Sequence, residues 1–387
     1  PPRSTLFPYT TLFRSEFWTS RQRQSNNIHE VSYRACFKSE LPRYFIERHT
    51  KPNDVVYDPF AGRGTTAIEA ALLGRRVIAN DINPLSRILC EPRLNPPSLD
   101  SVSERLDTIK NIPALIAEID LSMFYHPATL ADILSIRFYL EEKRRNGTED
   151  GVDRWIRMVA TNRLTGHSSG FFSVYTLPPN QAVSAVRQIK INQKRNQTPD
   201  ERNVRNLILK KSRSLLSDID DASRRALSLI GETARFLTEP ADQTTAISDN
   251  SVALTVTSPP FLDVVQYAQD NWLRCWFNGI DTDAVERRIT MAKTVKGWSN
   301  VMSAVLNELH RITIPGGVVA FEVGEVRKGD VRLDEVIAPL AVTAGFEVDA
   351  ILINRQQFTK TANIWGIDNN SRGTNSNRIV LLRKNSR

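Results

Sequence analysis

The 387-residue sequence has little cysteine: Cys36, Cys90 and Cys275 are its three. They are too few and too scattered for a disulfide framework or a zinc pattern, so a reducing, cytoplasmic setting is the default expectation. Apolar runs are short. None approaches the ~18 residues that a membrane-spanning helix needs, so no membrane association is expected. There is no internal repeat and no low-complexity tract. His29, His49, His126 and His310 lack metal-ligand spacing, so no metal is expected either. Charge of one sign is only mildly in excess: 51 Lys+Arg stand against 43 Asp+Glu, a net +8. That excludes a polyelectrolyte and hints at an acidic partner. What is present is ordinary for a globular protein. With 41% hydrophobic and 24% charged residues, the chain has ample material for a core. At roughly 150 residues per domain, its length suggests two units or one unit with an insertion.

Leu6-Phe-Pro-Tyr-Thr-Thr-Leu-Phe-Arg-Ser15 reads as the in-frame translation of a sequencing adapter. Residues 1–15 are therefore set aside from fold reasoning, and the native start is expected to be missing. From Asp54 the pattern is α/β. Asp54–Asp58 reads as a buried strand, Thr66–Leu73 as a helix stopped by Gly74, and Arg76–Asn80 as a second strand. The pattern resumes near Ala234, with strands expected at 234–237, 252–257 and 317–323 and a helix near 299–312. Residues 345–353 and 377–382 are expected to close the chain as an antiparallel pair. The fold class is α/β: a Rossmann-like, seven-stranded sheet interrupted in its middle by a mostly helical insertion. The expected divisions are residues 16–95, the insertion 96–232, and 233–387. Between Arg187 and Arg213, nine basic residues face only Asp200 and Glu201, so most of the surplus charge lies in the insertion.

Two motifs stand out. In Asp58-Pro-Phe60-Ala-Gly62-Arg-Gly64-Thr65-Thr66 a strand ends, two glycines allow a tight turn, and a helix begins. Such a helix start offers free N–H groups, and glycines let a ligand approach the backbone. Asp81, at the tip of the next strand, is suited to accept hydrogen bonds from ribose hydroxyls. Taken alone, Gly62-x-Gly64-x-x-Ala67 also fits a nicotinamide-dinucleotide fold or a turn without a ligand. The second motif is Thr257-Ser258-Pro259-Pro260-Phe261, directly after a strand. Two prolines stiffen the turn and leave carbonyls that only accept, Ser258 adds an acceptor, and Phe261 offers a flat face for a base. Elsewhere Ser-Pro-Pro would read as a plain strand exit. At the carboxyl end of a parallel strand it lies where α/β sheets bind ligands.

Together these motifs resemble those of the exocyclic-amino DNA methyltransferases, over about residues 25–95 and 234–383. The resemblance implies S-adenosylmethionine as cofactor and double-stranded DNA as partner. It implies that Asp58, Phe60, Gly62, Gly64 and Thr65 line the methionine end of the cofactor, and that Asp81 holds its ribose. Phe37, in Phe37-Lys-Ser-Glu-Leu-Pro42, resembles the residue that packs on the cofactor; that segment also reads as a simple helix start. Ser258, Pro259, Pro260 and Phe261 would form the catalytic turn. Ser258 stands where adenine enzymes more often carry Asp, so cytosine N4 is favoured over adenine N6, and Phe261 stands in place of Tyr.

The implied mechanism is direct displacement. Ser258 and the Pro259 carbonyl would accept both amino hydrogens of a flipped base stacked on Phe261. No cysteine nucleophile is needed, so the three thiols read as buried bystanders. The insertion would recognise the target, with Arg187, Lys190, Lys194, Arg195 and the rest of the basic stretch gripping phosphates. A solvated helical face is the plainer reading of that stretch. Asn162, Arg163 and Asn180 are further candidates to face DNA. The rivals are an RNA guanine-N2 methyltransferase, a nicotinamide-dependent oxidoreductase, and a DNA-binding module with a decayed methyltransferase fold. His167, Ser168 and Ser173 share one loop but lack the Gly-x-Ser-x-Gly elbow of a hydrolase.

Overall fold

A computed structural model describes residues 26–386 except 35, 178–180, 261–266, 290–291, 293, 327–330 and 356–375. After a short 3-10 turn, Asn27–His29, comes α1 (Glu40–His49). Then β1 (Val55–Asp58), α2 (Thr65–Leu72) and β2 (Arg76–Asn80) form the expected strand–helix–strand unit. α3 (Leu85–Cys90) leads into a helical excursion of α4 (Leu99–Thr108), α5 (Pro127–Arg145), α6 (Gly151–Arg163), α7 (Ala185–Arg195), α8 (Val204–Leu216) and α9 (Asp221–Gly231). The sheet resumes with β3 (Arg235–Leu237) and β4 (Val252–Thr257). Next come α10 (Tyr267–Asp270), α11 (Trp272–Phe277), α12 (Thr282–Arg288) and α13 (Val295–Ile312). β5 (Thr313–Val326), β6 (Val331–Arg332), α14 (Leu333–Thr343), β7 (Phe346–Arg355) and β8 (Ser376–Lys384) complete the described elements.

The strand order is β3-β2-β1-β4-β5-β8-β7, with β6 paired to the far end of β5. The five strands β3, β2, β1, β4 and β5 run parallel, and β8 lies antiparallel between β5 and β7. This is the Rossmann-like α/β sheet expected from the sequence, including its closing antiparallel pair. Alternation along the strands builds two cores. Val56, Leu254, Val256, Val318 and Ala320 pack on the α1–α2 side. Tyr57, Val319, Phe321 and Val323 pack on the α13–α14 side. Such period-two sorting is what lets a β-branched run be buried on both faces. A third core lies in the helical excursion, and Val31, Tyr33, Leu273 and Phe277 join it from outside.

The excursion leaves and returns at one place. The Gly231 backbone lies so close to the Leu94 carbonyl that a Cβ there would sit 2.6 Å from its oxygen. Arg224 donates to the Pro96 carbonyl at 2.9 Å and Ser228 bonds Asn95 at 2.7 Å, closing the neck.

Candidate active site

β1 and β4 are neighbours in register, with Val56 opposite Leu254 and Tyr57 opposite Thr255. The strands leave the sheet at the same edge, so the glycine turn and the proline turn emerge side by side. β3 and β2 lie to one side of β1 and β5 lies beyond β4, so this is the point where the strand order reverses. Two bonds knit the exits together. Thr257 Oγ1 donates to Asp58 Oδ1 at 2.7 Å, and Thr66 Oγ1 donates to the Val256 carbonyl at 3.0 Å.

The glycine turn is left-handed at Gly62 (φ +52°) and Gly64 (φ +79°). At Gly62 the freedom serves an anchor, since its N–H donates to Asp81 Oδ2 at 2.8 Å. At Gly64 the reason differs from the sequence reading, which gave the glycines a ligand to admit. A Cβ there would collide with the Cys90 side chain beneath the loop. Asp81 also accepts from Asn83 N–H at 2.9 Å, which fixes its carboxylate at the tip of β2.

A pocket of about 400 Å³ opens over this edge. Of the residues singled out from the sequence, it brings together Phe37, Asp58, Phe60, Gly62, Thr65, Asp81, Ser258 and Pro260. Gly64 and Pro259 sit in the same two turns without lining it. Phe261 lies outside the described residues, as does Asn180. Arg63 positions the Phe37 segment by donating to the Phe37 carbonyl at 3.4 Å and the Val31 carbonyl at 3.0 Å. Cys36 departs from the bystander reading: it is half-buried and borders the pocket, whereas Cys90 and Cys275 are buried. Burial pushes the Cys36 thiol pKa up, which makes it a poor nucleophile.

Three features escaped the sequence reading. The loop after β3 contributes Glu239, Pro240, Ala241 and Asp242 to the pocket. It is held to β2 by Asn80, which accepts from Glu239 N–H and donates to its carbonyl, both at 2.9 Å. The first turn of α13 supplies Trp298, whose indole N–H donates to the Pro260 carbonyl at 3.0 Å. On β5, buried Glu322 hydrogen-bonds the Ser258 side chain. The strand-edge rule could have found the loop. A lone carboxylate inside the apolar run Val318–Val323 could have flagged Glu322.

The site is rich in buried acid. Burial raises Asp58 to about 7, against hydrogen bonds from Thr257 and Phe60 N–H that pull the other way. Asp81 is pushed up to about 6 by the same cause. Glu322 is pushed up to about 7 by burial, opposed by its bond to Ser258. One oxygen of Glu239, Oε2, is buried with no hydrogen-bond partner. Buried acids and an orphaned acceptor suit a ligand that brings positive charge and donors.

The basic stretch divides. Arg187, Lys190, Lys194 and Arg195 are exposed on α7, with the Arg195 guanidinium 3.7 Å from the Tyr175 ring centre. Arg205 is turned inward onto Asp132 and the Ile109 carbonyl, and Lys211 faces Glu30 at 3.6 Å. The stretch is therefore not one phosphate-gripping face. Asn162 is also structural: it brackets the Ser32 backbone, accepting at 3.3 Å and donating at 3.0 Å. Arg163 stacks over Phe171, 4.0 Å from its ring centre. His167 and Ser168 are exposed at the tip of their loop and Ser173 is buried; none lines the pocket. Among the described residues no His, Cys, Asp and Glu group could hold a metal, and no helix is long and apolar enough to cross a membrane.

The sheet and its switch-point pocket define a Rossmann-like α/β protein with a ligand pocket at the reversal of strand order. A family model described as DNA methylase matches residues 8–86. The type II methyltransferase M.MjaII of Methanocaldococcus jannaschii is 32% identical over 76 residues, 19% of this chain and 14% of the relative. M.BsoBI of Geobacillus stearothermophilus is 22% identical over 330 residues, 76% of this chain and 61% of the relative. The chain thus spans less than two thirds of the length of these curated relatives. Among solved structures, the rRNA methyltransferase aviRa from Streptomyces viridochromogenes is 12% identical, with 95% of this chain and 96% of that one covered at a TM-score of 0.36. The family model, over its short stretch of the chain, and the type II relatives support a likeness to the amino-methyltransferase family of DNA methylases. The family's cofactor, S-adenosylmethionine, carries a sulfonium and an ammonium group, and the acid-rich pocket with its unpartnered Glu239 oxygen fits it.

Proposed function

We propose that this chain is a site-specific DNA methyltransferase acting on the exocyclic amino group of a flipped base, with cytosine N4 as the favoured target and adenine N6 as the alternative. One observation carries this reading: the glycine turn and the Ser-Pro-Pro turn line a single pocket at the β1/β4 edge. When bound, S-adenosylmethionine supplies an electrophilic methyl on sulfur. Phe37, Asp58, Phe60, Gly62 and Thr65 would enclose its methionine end. Asp81 would accept from its ribose, with Glu239 and Asp242 on the wall beyond.

Ser258 is the pivot of the chemistry. Its hydroxyl can donate to Glu322, which leaves the oxygen lone pairs to accept from an amino hydrogen of the base. The Pro260 carbonyl is taken by Trp298; the Pro259 carbonyl, in the same turn though not lining the pocket in this structure, would accept the second hydrogen. Two acceptors on one amino group draw its lone pair out of the ring and aim it at the methyl carbon, so alignment supplies much of the rate. The methylated nitrogen must then release a proton. Glu322, buried and poised about 7, is placed to receive it through Ser258. Ser258 in place of an acid supports cytosine N4. The residues 96–232 would recognise the target sequence, and the exposed cations of α7 would meet its phosphates.

Incubation with DNA and labelled S-adenosylmethionine, then digestion to nucleosides and mass analysis, tests this. N4-methylcytosine supports the favoured reading, and N6-methyladenine selects the alternative. Label in guanine of RNA but not DNA moves the protein to the RNA class. Absence of any methylated nucleoside, with cofactor bound, ends the enzymatic reading.

A further inference from the structure

α7 is fastened to the molecule in an unusual way. Its inner face carries amides rather than a full apolar stripe. Gln188 Nε2 donates to the Tyr175 carbonyl at 3.0 Å and to Asn192 Oδ1 at 2.8 Å, and Asn192 Nδ2 donates to the Met123 carbonyl at 2.8 Å. Gln197, just past the helix, donates to the same Tyr175 carbonyl and Asn192 oxygen, both at 2.8 Å. Directional bonds of this kind fix the rotation of a helix about its axis. At 100° per residue, the opposite face is then crowned by Val186, Lys190 and Gln193, with Arg187 and Lys194 on one flank and Ile189 on the other. All six are exposed, and Val186 (64%) and Ile189 (42%) are among the few large hydrophobic side chains left in water.

The helix also starts beside the pocket. Arg34 lines the pocket and donates to Gln181 at 3.3 Å and to Asp270 at 2.6 Å. Asp270 holds Ala182 N–H at 2.7 Å, and Trp272 donates to the Val183 carbonyl at 3.2 Å. Only Ala182 and Val183 separate Gln181 from Ser184, the N-cap of α7. The step is therefore about 10 Å at full extension. α7 has 11 residues, so its length is about 16 Å, or roughly five base pairs along a duplex.

We propose that α7 enters the DNA major groove next to the flipped base, with its crown reading an A·T pair. The proposal rests on the DNA methyltransferase reading. The groove admits one helix of this diameter. The Gln193 amide has the donor and acceptor that adenine N6 and N7 require. Val186 and Ile189 suit the thymine methyl, an apolar feature unique to that base. Arg187 and Lys194 lie where the phosphates of one groove wall would pass, and their charge complements that wall. Exposed aliphatic side chains set among cations serve a grooved, anionic duplex better than they serve water.

Three full-chain proteins test this: wild type, Val186→Ser/Gln193→Ala, and Arg187→Ala/Lys194→Ala. All substituted residues are exposed, and equal thermal melts and cofactor affinity verify folding. Methylated sites are mapped by sequencing treated genomic DNA, and duplex binding is titrated against salt. The crown variant is expected to lose about tenfold or more of its preference at an A·T position, with its salt slope unchanged. The flank variant is expected to keep the recognised sequence while its salt slope falls by about 2. If wild type methylates DNA and neither variant changes sequence preference or salt slope, α7 is not in the groove. If wild type binds cofactor yet methylates no DNA, the enzymatic reading fails; the salt slopes then decide α7 alone, and an unchanged slope overturns it.

Discussion

In the proposed reaction Ser258 and Glu322 divide the labour: the hydroxyl would touch the substrate and the acid bonded to it would set its polarity. Glu322→Gln keeps the shape but removes the base. A kcat loss of about 100-fold or more is expected, with cofactor affinity little changed. The pH profile separates this from a structural effect. Glu322 must be ionised to accept a proton, so wild-type kcat should rise with pH through about 7. In the Gln variant that limb should disappear; its persistence would assign it to another group, such as Asp58. Trp298→Phe removes the N–H that holds the Pro260 carbonyl and also trims the buried ring. A roughly tenfold fall in kcat, with cofactor Kd within about threefold, is expected from a turn that has lost an anchor.

Elements set what such residues can reach. At the pocket edge, short connections join β1 to α2 and β2 to α3 directly. Gly64, at the start of α2, is the tightest of these joints. Gly64→Ala must hold a side chain at φ +79° and displace Cys90. A destabilisation of about 2–4 kcal/mol is expected in denaturant unfolding. Asn80→Ala would free the loop after β3 and raise the cofactor Kd about tenfold, measurable by calorimetry. These elements differ in how openly the sequence declares them. The run Val252–Thr257 and the turn after it were legible, because β-branched residues followed by prolines admit few conformations. Asp58, Asp81 and Ser258 could be placed because each ends a strand or follows one directly. Glu322 could not, because alternation tells which face a strand residue takes but not which neighbour it meets across the sheet. Trp298 stood just ahead of the helix expected near 299–312, and nothing in the spacing tied it to the proline turn. In α7 the amide-lined inner face breaks the apolar periodicity on which orientation is usually read, so only its charge was visible.

The molecule as a whole carries its buried acids at a cost. Asp58, Asp81 and Glu322 all have folded-state pKa values raised by burial, to about 7, 6 and 7. Their contribution to stability is complete below the ordinary carboxylate range and is lost as pH rises through 6–7. The cofactor-free protein is thus expected to melt at lower temperature at pH 8 than at pH 5.5. A cationic ligand favours the ionised acids, so S-adenosylmethionine should raise the melting temperature more at pH 8 than at pH 5.5. Calorimetric melts at the two pH values check both signs; an equal ligand shift at both would mean the acids do not face the ligand.

Where the backbone of Gly231 rests on Leu94, a long detour of the chain begins and finishes at a single doorway. The sheet experiences that detour as little more than a tight bend, whatever its size. Under the proposed function, a lineage could therefore trade one reading head for another through the same doorway while the sheet and its pocket stay in place, provided each newcomer restores the contacts now made by Val31, Tyr33 and Leu273.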